Sequence, residues 1–433
     1  MFLPLINQGI DDNGVSPSKN RLYYGWIVVA SCTILLATTL GICYSFGVFF
    51  TSLQEEFDWN NTTISGVFSL YLLLAGVFSI IGGWATDKYG PRRVVLVMGA
   101  ISGFSLLLTS EVDSGWELFL TYGVLLSMGT GATYIIVMST GSRWFLKKRA
   151  TALGIIGAGA GLGTMIMAPL SASLISSYDW RDAYLIIGII AWAIIIPTAF
   201  LLKKDPAEIG QQVDGITVGE TTDSQSNLGA KGISVRDAVS SKNFWLFFMI
   251  WFSYSFCLHM VMGHVIARAE SFGISALKAS SVLSLVTGVA ILSRVAVGFI
   301  ADTGDKKTIA IVFALIHGIA MFWLVDADSM WMLFIFAILY GLAYGGIDPP
   351  ITASIGGIFG VNSLGSIMGV LMIGWSLGSA AGPFVAGVIV DHTGRYEGAF
   401  FGAGLIMVLA AFCIWGLNPS QNQIPELEEL PHE

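Results

Sequence analysis

The sequence predicts an all-α membrane protein, with twelve transmembrane helices arranged as two six-helix pseudo-repeats. Three observations carry that expectation. The 433 residues are 55% hydrophobic and only 12% charged, a composition outside the soluble globular range. Apolar residues come in runs of about 20, long enough at ~1.5 Å rise per residue to cross a ~30 Å hydrocarbon layer. A glycine–aspartate–basic pattern also repeats at an offset of 215 residues: GGWATDKYGPRR, from Gly82 to Arg93, is echoed by GFIADTGDKK, from Gly298 to Lys307.

In chain order, residues 1–22 form a polar N-terminal segment without the apolar stretch and cleavage site of a signal peptide. A first bundle, 23–202, holds spans at 23–50, 64–86, 94–108, 116–140, 150–175 and 183–202. Residues 203–242, rich in Gly, Ser, Thr and Asp (DGITVGETTDSQSNLGAKG), read as a flexible linker. A second bundle, 243–417, holds spans at 244–267, 279–301, 308–325, 331–359, 365–390 and 399–417. The tail, 418–433, carries PELEELPHE and reads as an acidic solvated end.

Basic residues set the orientation. Sixteen of the 21 Lys and Arg fall in the N-terminal segment and the even-to-odd connections; Arg181, Arg268, Lys278 and Arg395 lie on the other side and Arg294 within a span. That bias places both termini in the cytoplasm and the chain in the plasma membrane, or the inner membrane of a bacterium, as a multi-pass protein. No basic face for nucleic acid is present. The four cysteines, Cys32, Cys43, Cys257 and Cys413, lack ligand spacing, so neither a metal nor a cofactor is expected. Without a nucleophile elbow, phosphate loop or metal-ligand cluster, an enzyme is not expected either. A non-transporting receptor is the other class of reading, against which stand the short tails and the lack of a soluble domain.

Arg294 is the residue that most asks for a role. No other charge lies between Lys278 and Asp302, which puts it roughly 12 Å inside its helix end by rise per residue. A guanidinium at that depth needs a partner, water or an anion. Ser280, Ser284, Thr287, Ile291 and Arg294 share one face. The alternative is a structural Arg paired to a helix carbonyl or an acid. Asp348, in GLAYGGIDPPITASIGG, lies at similar depth and reads two ways. It can pair with Arg294 in the empty site and take a proton when substrate displaces it. It can instead cap a helix segment resuming after a break at Pro349 and Pro350. His264 and Glu270, near the opposite end of span seven, are further proton-coupling candidates. Tyr134, Tyr344 and Trp375 are candidate substrate-pocket walls, with ordinary packing as the alternative.

The loop carrying Gly83, Asp87, Gly90, Arg92 and Arg93, duplicated at Gly298 and Asp302, resembles the signature between spans two and three of the major facilitator superfamily. The resemblance implies that fold across essentially the whole chain, and a conformational switch made and broken as two bundles rock. Three further stretches, RLYYGWIVV, FGVFFTSLQEEFDWNNTTIS and WFLKKRATALGIIGAG, resemble the monocarboxylate transporter family. More closely, they resemble its bacterial members and the neighbouring oxalate–formate exchanger group. Phe145, Lys147, Lys148, Arg149, Ala152, Gly154, Ala158 and Gly159 match the family pattern.

This resemblance implies that Arg294, the Arg of span eight, anchors a substrate carboxylate, a role its planar fork suits. Three positions depart from the family. Ser271, beside Glu270, stands where bacterial relatives carry an Asp; Ala290 and Tyr44 stand where mammalian relatives carry an acid and a Lys. Coupling then falls to Glu270 and Asp348. The exchanger group carries a second cation on span eleven, whereas 365–390 has neither Lys nor Arg. One buried cation balances one carboxylate. The expected substrate is thus a small organic anion, a monocarboxylate like lactate or pyruvate, moved with H+ across the lipid bilayer. Oxalate- or formate-type exchange and export of a larger amphiphile are the alternatives.

Overall fold

Chain segments that cross hydrocarbon must satisfy their own backbone hydrogen bonds, and helices do so residue by residue. The computed structural model describes residues 23–57, 61–215, 233–274 and 276–418, and among them twelve helices are long and apolar enough to span a membrane. Span one is Tyr24–Tyr44, continued after Ser45 by Phe46–Phe57; spans two and three are Asn61–Tyr89 and Pro91–Ser110. Span four runs from Gly115 to Trp144, five is Arg149–Ser177 and six Trp180–Leu201. Spans seven to twelve are Lys242–Glu270, Ala276–Thr303, Lys306–Val325, Met330–Phe359, Leu364–Thr393 and Glu397–Trp415. The N-terminal segment 1–22, residues 216–232 of the linker and the tail beyond Asn418 lie outside the described residues.

Packing follows the repeat. Span one lies against five and three against six; six positions later in span order, seven lies against eleven and nine against twelve. Between the halves, span two meets eleven and five meets eight, again equivalent pairs. This is the layout of two parallel repeats. Large apolar residues such as Leu73, Ile166, Leu292, Phe384 and Phe412 point outward, as a lipid-facing surface requires. Helix starts are capped where polar residues meet apolar runs: Asp179 accepts from the Trp180 N–H (2.6 Å), Ser241 from Phe244 (3.3 Å), and Asp305 from Lys307 (3.3 Å) and Thr308 (3.0 Å).

Three local expectations change. Span ten does not break at its prolines: Met330–Phe359 is one helix through Pro349 and Pro350, so Asp348 caps no resumed segment. Lacking N–H groups, the prolines leave the Gly345 and Gly346 carbonyls without their helical donors and crowd them, but the turn before them is pinned on span eight. There Gly341 faces the Val286 carbonyl and Gly345 that of Ala290, closely enough that a Cβ at either would collide. Span four, by contrast, is irregular. Phe119–Leu126 is wound as a π-helix, and regular helix resumes at Thr133 after turns at Gly131 and Ala132. Gly129 presses on the backbone of Ser102 and Gly131 on that of Ala75. The linker's described ends are ordered as short turns at Pro206–Ile209 and Val213–Gly215 and a helix at Val235–Ser240.

Candidate functional site

Two clusters sit on the seam between the halves, one at the linker end and one deeper. At the linker end, the Asp87 carboxylate closes span two and reaches the first turn of span eleven. It accepts from the backbone N–H groups of Gly365 (3.2 Å) and Ser366 (2.7 Å) and from the Ser366 hydroxyl (2.7 Å). Arg143, at the end of span four, also donates to Asp87, and its Nε donates to the Val361 carbonyl at 3.1 Å. A helix N-terminus carries partial positive charge, so a carboxylate there is doubly favoured.

Asp302 does the same in the other direction. At the end of span eight, it accepts from the N–H groups of Ala150 (2.7 Å) and Thr151 (2.9 Å), which open span five. Glycine permits the approach. Gly83 abuts the Gly365 carbonyl, and a Cβ on Gly298 would lie 2.8 Å from that of Ala150. Gly90 ends span two at φ +83°, a left-handed conformation that favours glycine. Arg92 stacks on Phe200, 4.6 Å from the ring centre, and Arg93 is exposed.

Farther along the seam, beyond Gly154, whose Cα faces the Arg294 carbonyl, lies the second cluster. Arg294 and Asp348 are each 7% exposed and approach to 3.8 Å between Nη2 and Oδ2. Nη1 of Arg294 donates to the Gly157 carbonyl of span five at 2.6 Å, and the guanidinium lies 4.8 Å from the ring centre of Tyr344. Its Nε is buried and has no hydrogen-bond partner among the described residues. Oδ1 of Asp348 accepts from the Tyr134 hydroxyl (2.9 Å) and the Thr352 hydroxyl (3.0 Å). Arg294 thus does contact a helix carbonyl and an acid, as the structural alternative required. Those contacts leave the Nε N–H unused among the described residues and hold the cation where both bundles meet.

Of the sequence-nominated residues, Arg294, Asp348, Tyr134 and Tyr344 come together. Trp375 stands one layer back: its ring centre is 5.5 Å from that of Tyr254, whose hydroxyl donates to the Tyr344 carbonyl at 2.6 Å. His264 is not at this cluster; its Nε2 lies 3.0 Å from the Pro383 carbonyl and its ring packs on Tyr396. Glu270 is exposed in the last turn of span seven. Neighbouring Arg268 is an anchor within the second half, pairing with Glu397 at 3.4 Å and donating to the Val325 carbonyl at 2.9 Å. Sequence reasoning missed Arg143, Thr352 and Tyr254. Arg143 counts as one more basic loop residue until its burial is seen, while Thr352 sits one turn after Asp348 and was readable by that spacing.

The chain's similarities agree with this architecture. A family model described as Major Facilitator Superfamily matches residues 29–330 and 265–430. The Rattus norvegicus protein named Monocarboxylate transporter 13 is 25% identical over 387 residues, covering 89% of this chain and 87% of that one. The Homo sapiens Monocarboxylate transporter 11 is 24% identical over 410 residues, covering 91% and 83%. Among solved structures, the proton:xylose symporter XylE bound to 6-bromo-6-deoxy-D-glucose superposes with a TM-score of 0.75 at 16% identity, covering 90% of this chain and 95% of that one.

Proposed function

Because the chain belongs to the Major Facilitator Superfamily, we propose that it is a secondary active carrier moving a small monocarboxylate, lactate- or pyruvate-like, together with a proton. Bundles 23–202 and 243–417 rock about the central cluster, joined by the linker 203–242 on the cytoplasmic side, where both termini also lie. The positive-inside bias supports that orientation.

The observation that carries the reading is the Arg294–Asp348 pair, 3.8 Å apart where the halves meet. Empty, the pair is neutral. A carboxylate that takes the guanidinium adds one negative charge to a low-dielectric cavity, at a cost of several kcal/mol unless it is compensated. A proton on Asp348 compensates it, while Tyr134 and Thr352 keep that side chain in place. Loaded site and empty site then both carry no net charge, the condition for crossing in either state. Span eleven, Leu364–Thr393, brings no Lys or Arg for a second carboxylate, which favours a monocarboxylate over oxalate-type exchange. The names of the two monocarboxylate transporters similar to this chain point the same way.

Reconstitution into liposomes with an imposed pH gradient and labelled lactate, pyruvate, formate and oxalate tests the proposal. Uptake of a monocarboxylate driven by inward-directed protons is expected. Asp348→Asn is expected to keep downhill movement but lose dependence on the gradient, and Arg294→Gln to lose uptake while reaching the membrane. Oxalate exchange with no monocarboxylate uptake, or wild-type affinity in Arg294→Gln, contradicts the reading.

A further inference from the structure

Beside the Asp87 contact, a cleft of about 520 Å³ opens between the loop joining spans two and three and the end of span six. Five cations line it, Lys88, Arg92, Arg93, Lys203 and Lys204, against the single acid Glu208. None of the five belongs to an ion pair among the described residues. Lys88 lies 4.9 Å from the Trp84 ring centre, Arg92 stacks on Phe200, and the Lys204 ammonium donates to the Asp87 carbonyl at 2.7 Å. Among the described residues, no acid pairs with Arg93 or the half-buried Lys203. Unbalanced cations in a cleft focus a positive field, and a phosphate answers it with charge and several acceptor oxygens.

The surroundings favour one source of that phosphate. Trp84, Tyr89 and Phe200 are each about half exposed on the helix ends that frame the cleft. Aromatic residues so placed mark the depth of lipid headgroups, and basic pockets at that depth hold anionic ones. We propose that this cleft binds the phosphate headgroup of an acidic phospholipid in the linker-side leaflet. The site is distinct from the Arg294 cluster and does not depend on which substrate that cluster takes. Its occupant bears on the switch through Lys204, which holds the carbonyl of the residue whose carboxylate clamps span eleven. A headgroup that fixes Lys204 and its neighbours steadies Asp87 and favours the arrangement closed at this end.

Lipid binding to the purified full-length protein tests the site. Native mass spectrometry in detergent, titrated with phosphatidylglycerol, phosphatidylcholine or inorganic phosphate, reads occupancy, and the unfolding temperature reads the consequence. Phosphatidylglycerol is expected to bind in preference to phosphatidylcholine and to raise the unfolding temperature. Arg93→Gln with Lys203→Gln is expected to weaken it roughly thirtyfold, at about fivefold per basic side chain near an anionic surface. Arg93→Lys with Lys203→Arg should retain it, and Glu208→Gln, which removes the lining acid, should tighten it severalfold. Protection by inorganic phosphate that is lost in the Gln pair supports the same anion chemistry from a soluble source. Equal affinity for the two lipids, or an affinity unmoved in both the Gln pair and Glu208→Gln, overturns the proposal.

Discussion

Tyr134 and Asp348 stand 214 positions apart and touch, the hydroxyl of one donating to Oδ1 of the other at 2.9 Å. That separation is also the offset between Pro169 and Pro383, the prolines inside spans five and eleven. Places in the two repeats that lie within one residue of the 215-residue offset of the signature loops therefore meet across the seam. One half supplies a donor and the other an acceptor, so the contact between the two repeats is polar and asymmetric.

The contact restrains Asp348. Tyr134→Phe removes a hydrogen bond to a charged group, worth about 1.5–3 kcal/mol, and frees the carboxylate to swing fully onto Arg294. A substrate carboxylate then competes against a tighter internal partner. The expected outcome is a rise in KM of about tenfold with protein level unchanged, checked by initial-rate uptake into vesicles. An unchanged KM separates Tyr134 from the site.

Asp87 and Asp302 cap one another's halves with unequal strength. Asp87 accepts from Arg143 and the Ser366 hydroxyl as well as two backbone N–H groups, whereas Asp302 is held by two backbone N–H groups. Asn remains a good helix cap, so Asp302→Asn is expected to cost about 1 kcal/mol. Asp87→Asn also strands the buried Arg143 and is expected to cost about 2–4 kcal/mol of the closed arrangement. Spin labels at the exposed Leu146 and Gly357 read the outcome as a longer distance population, larger for Asp87→Asn than for Asp302→Asn.

Steric fit along the seam gives a third test. Gly83→Ala would drive a methyl into the Gly365 carbonyl, and Gly154→Ala would drive one into that of Arg294. Backbone cannot move aside as a side-chain tip can, and overpacking of this kind costs about 1–3 kcal/mol. Each substitution is expected to open the linker end in the same spin-label measurement. Gly402→Ala, where a methyl meets open space, is expected to leave the distance unchanged.

The guanidinium geometry of Arg294 gives a fourth. Lys at this position keeps the charge but loses the fork that lets one N–H reach Gly157 while another faces Asp348. Arg294→Lys is expected to retain less than about a tenth of wild-type uptake, measured beside Arg294→Gln. Full activity in the Lys variant reduces the requirement to a point charge.

Span number, span order and the repeat were legible because they rest on run length and on one duplicated motif, both independent of packing. Depth was legible too, since rise per residue places Arg294, Asp348, Tyr134 and Tyr344 at one level. Rotation about each helix axis was not. Where a helix meets lipid on one side and protein on the other, both faces are apolar and periodicity does not say which points inward. Hence Trp375 stands a layer behind Tyr254, and Arg143 passed for a loop charge. The continuous helix through Pro349 and Pro350 was hidden for a related reason. Gly341 and Gly345 carry the small-residue spacing of a close helix contact, but the partner they meet, span eight, is set by the fold and not by the local sequence.

The bond from Arg294 to the Gly157 carbonyl crosses from one half of the protein to the other. The unladen protein is therefore cross-braced by the very group an incoming anion would claim. In the proposed cycle an anion that draws the guanidinium toward itself weakens that strut, whereas the empty carrier has to part it unaided on its return, so the brace sets the pace of the return step.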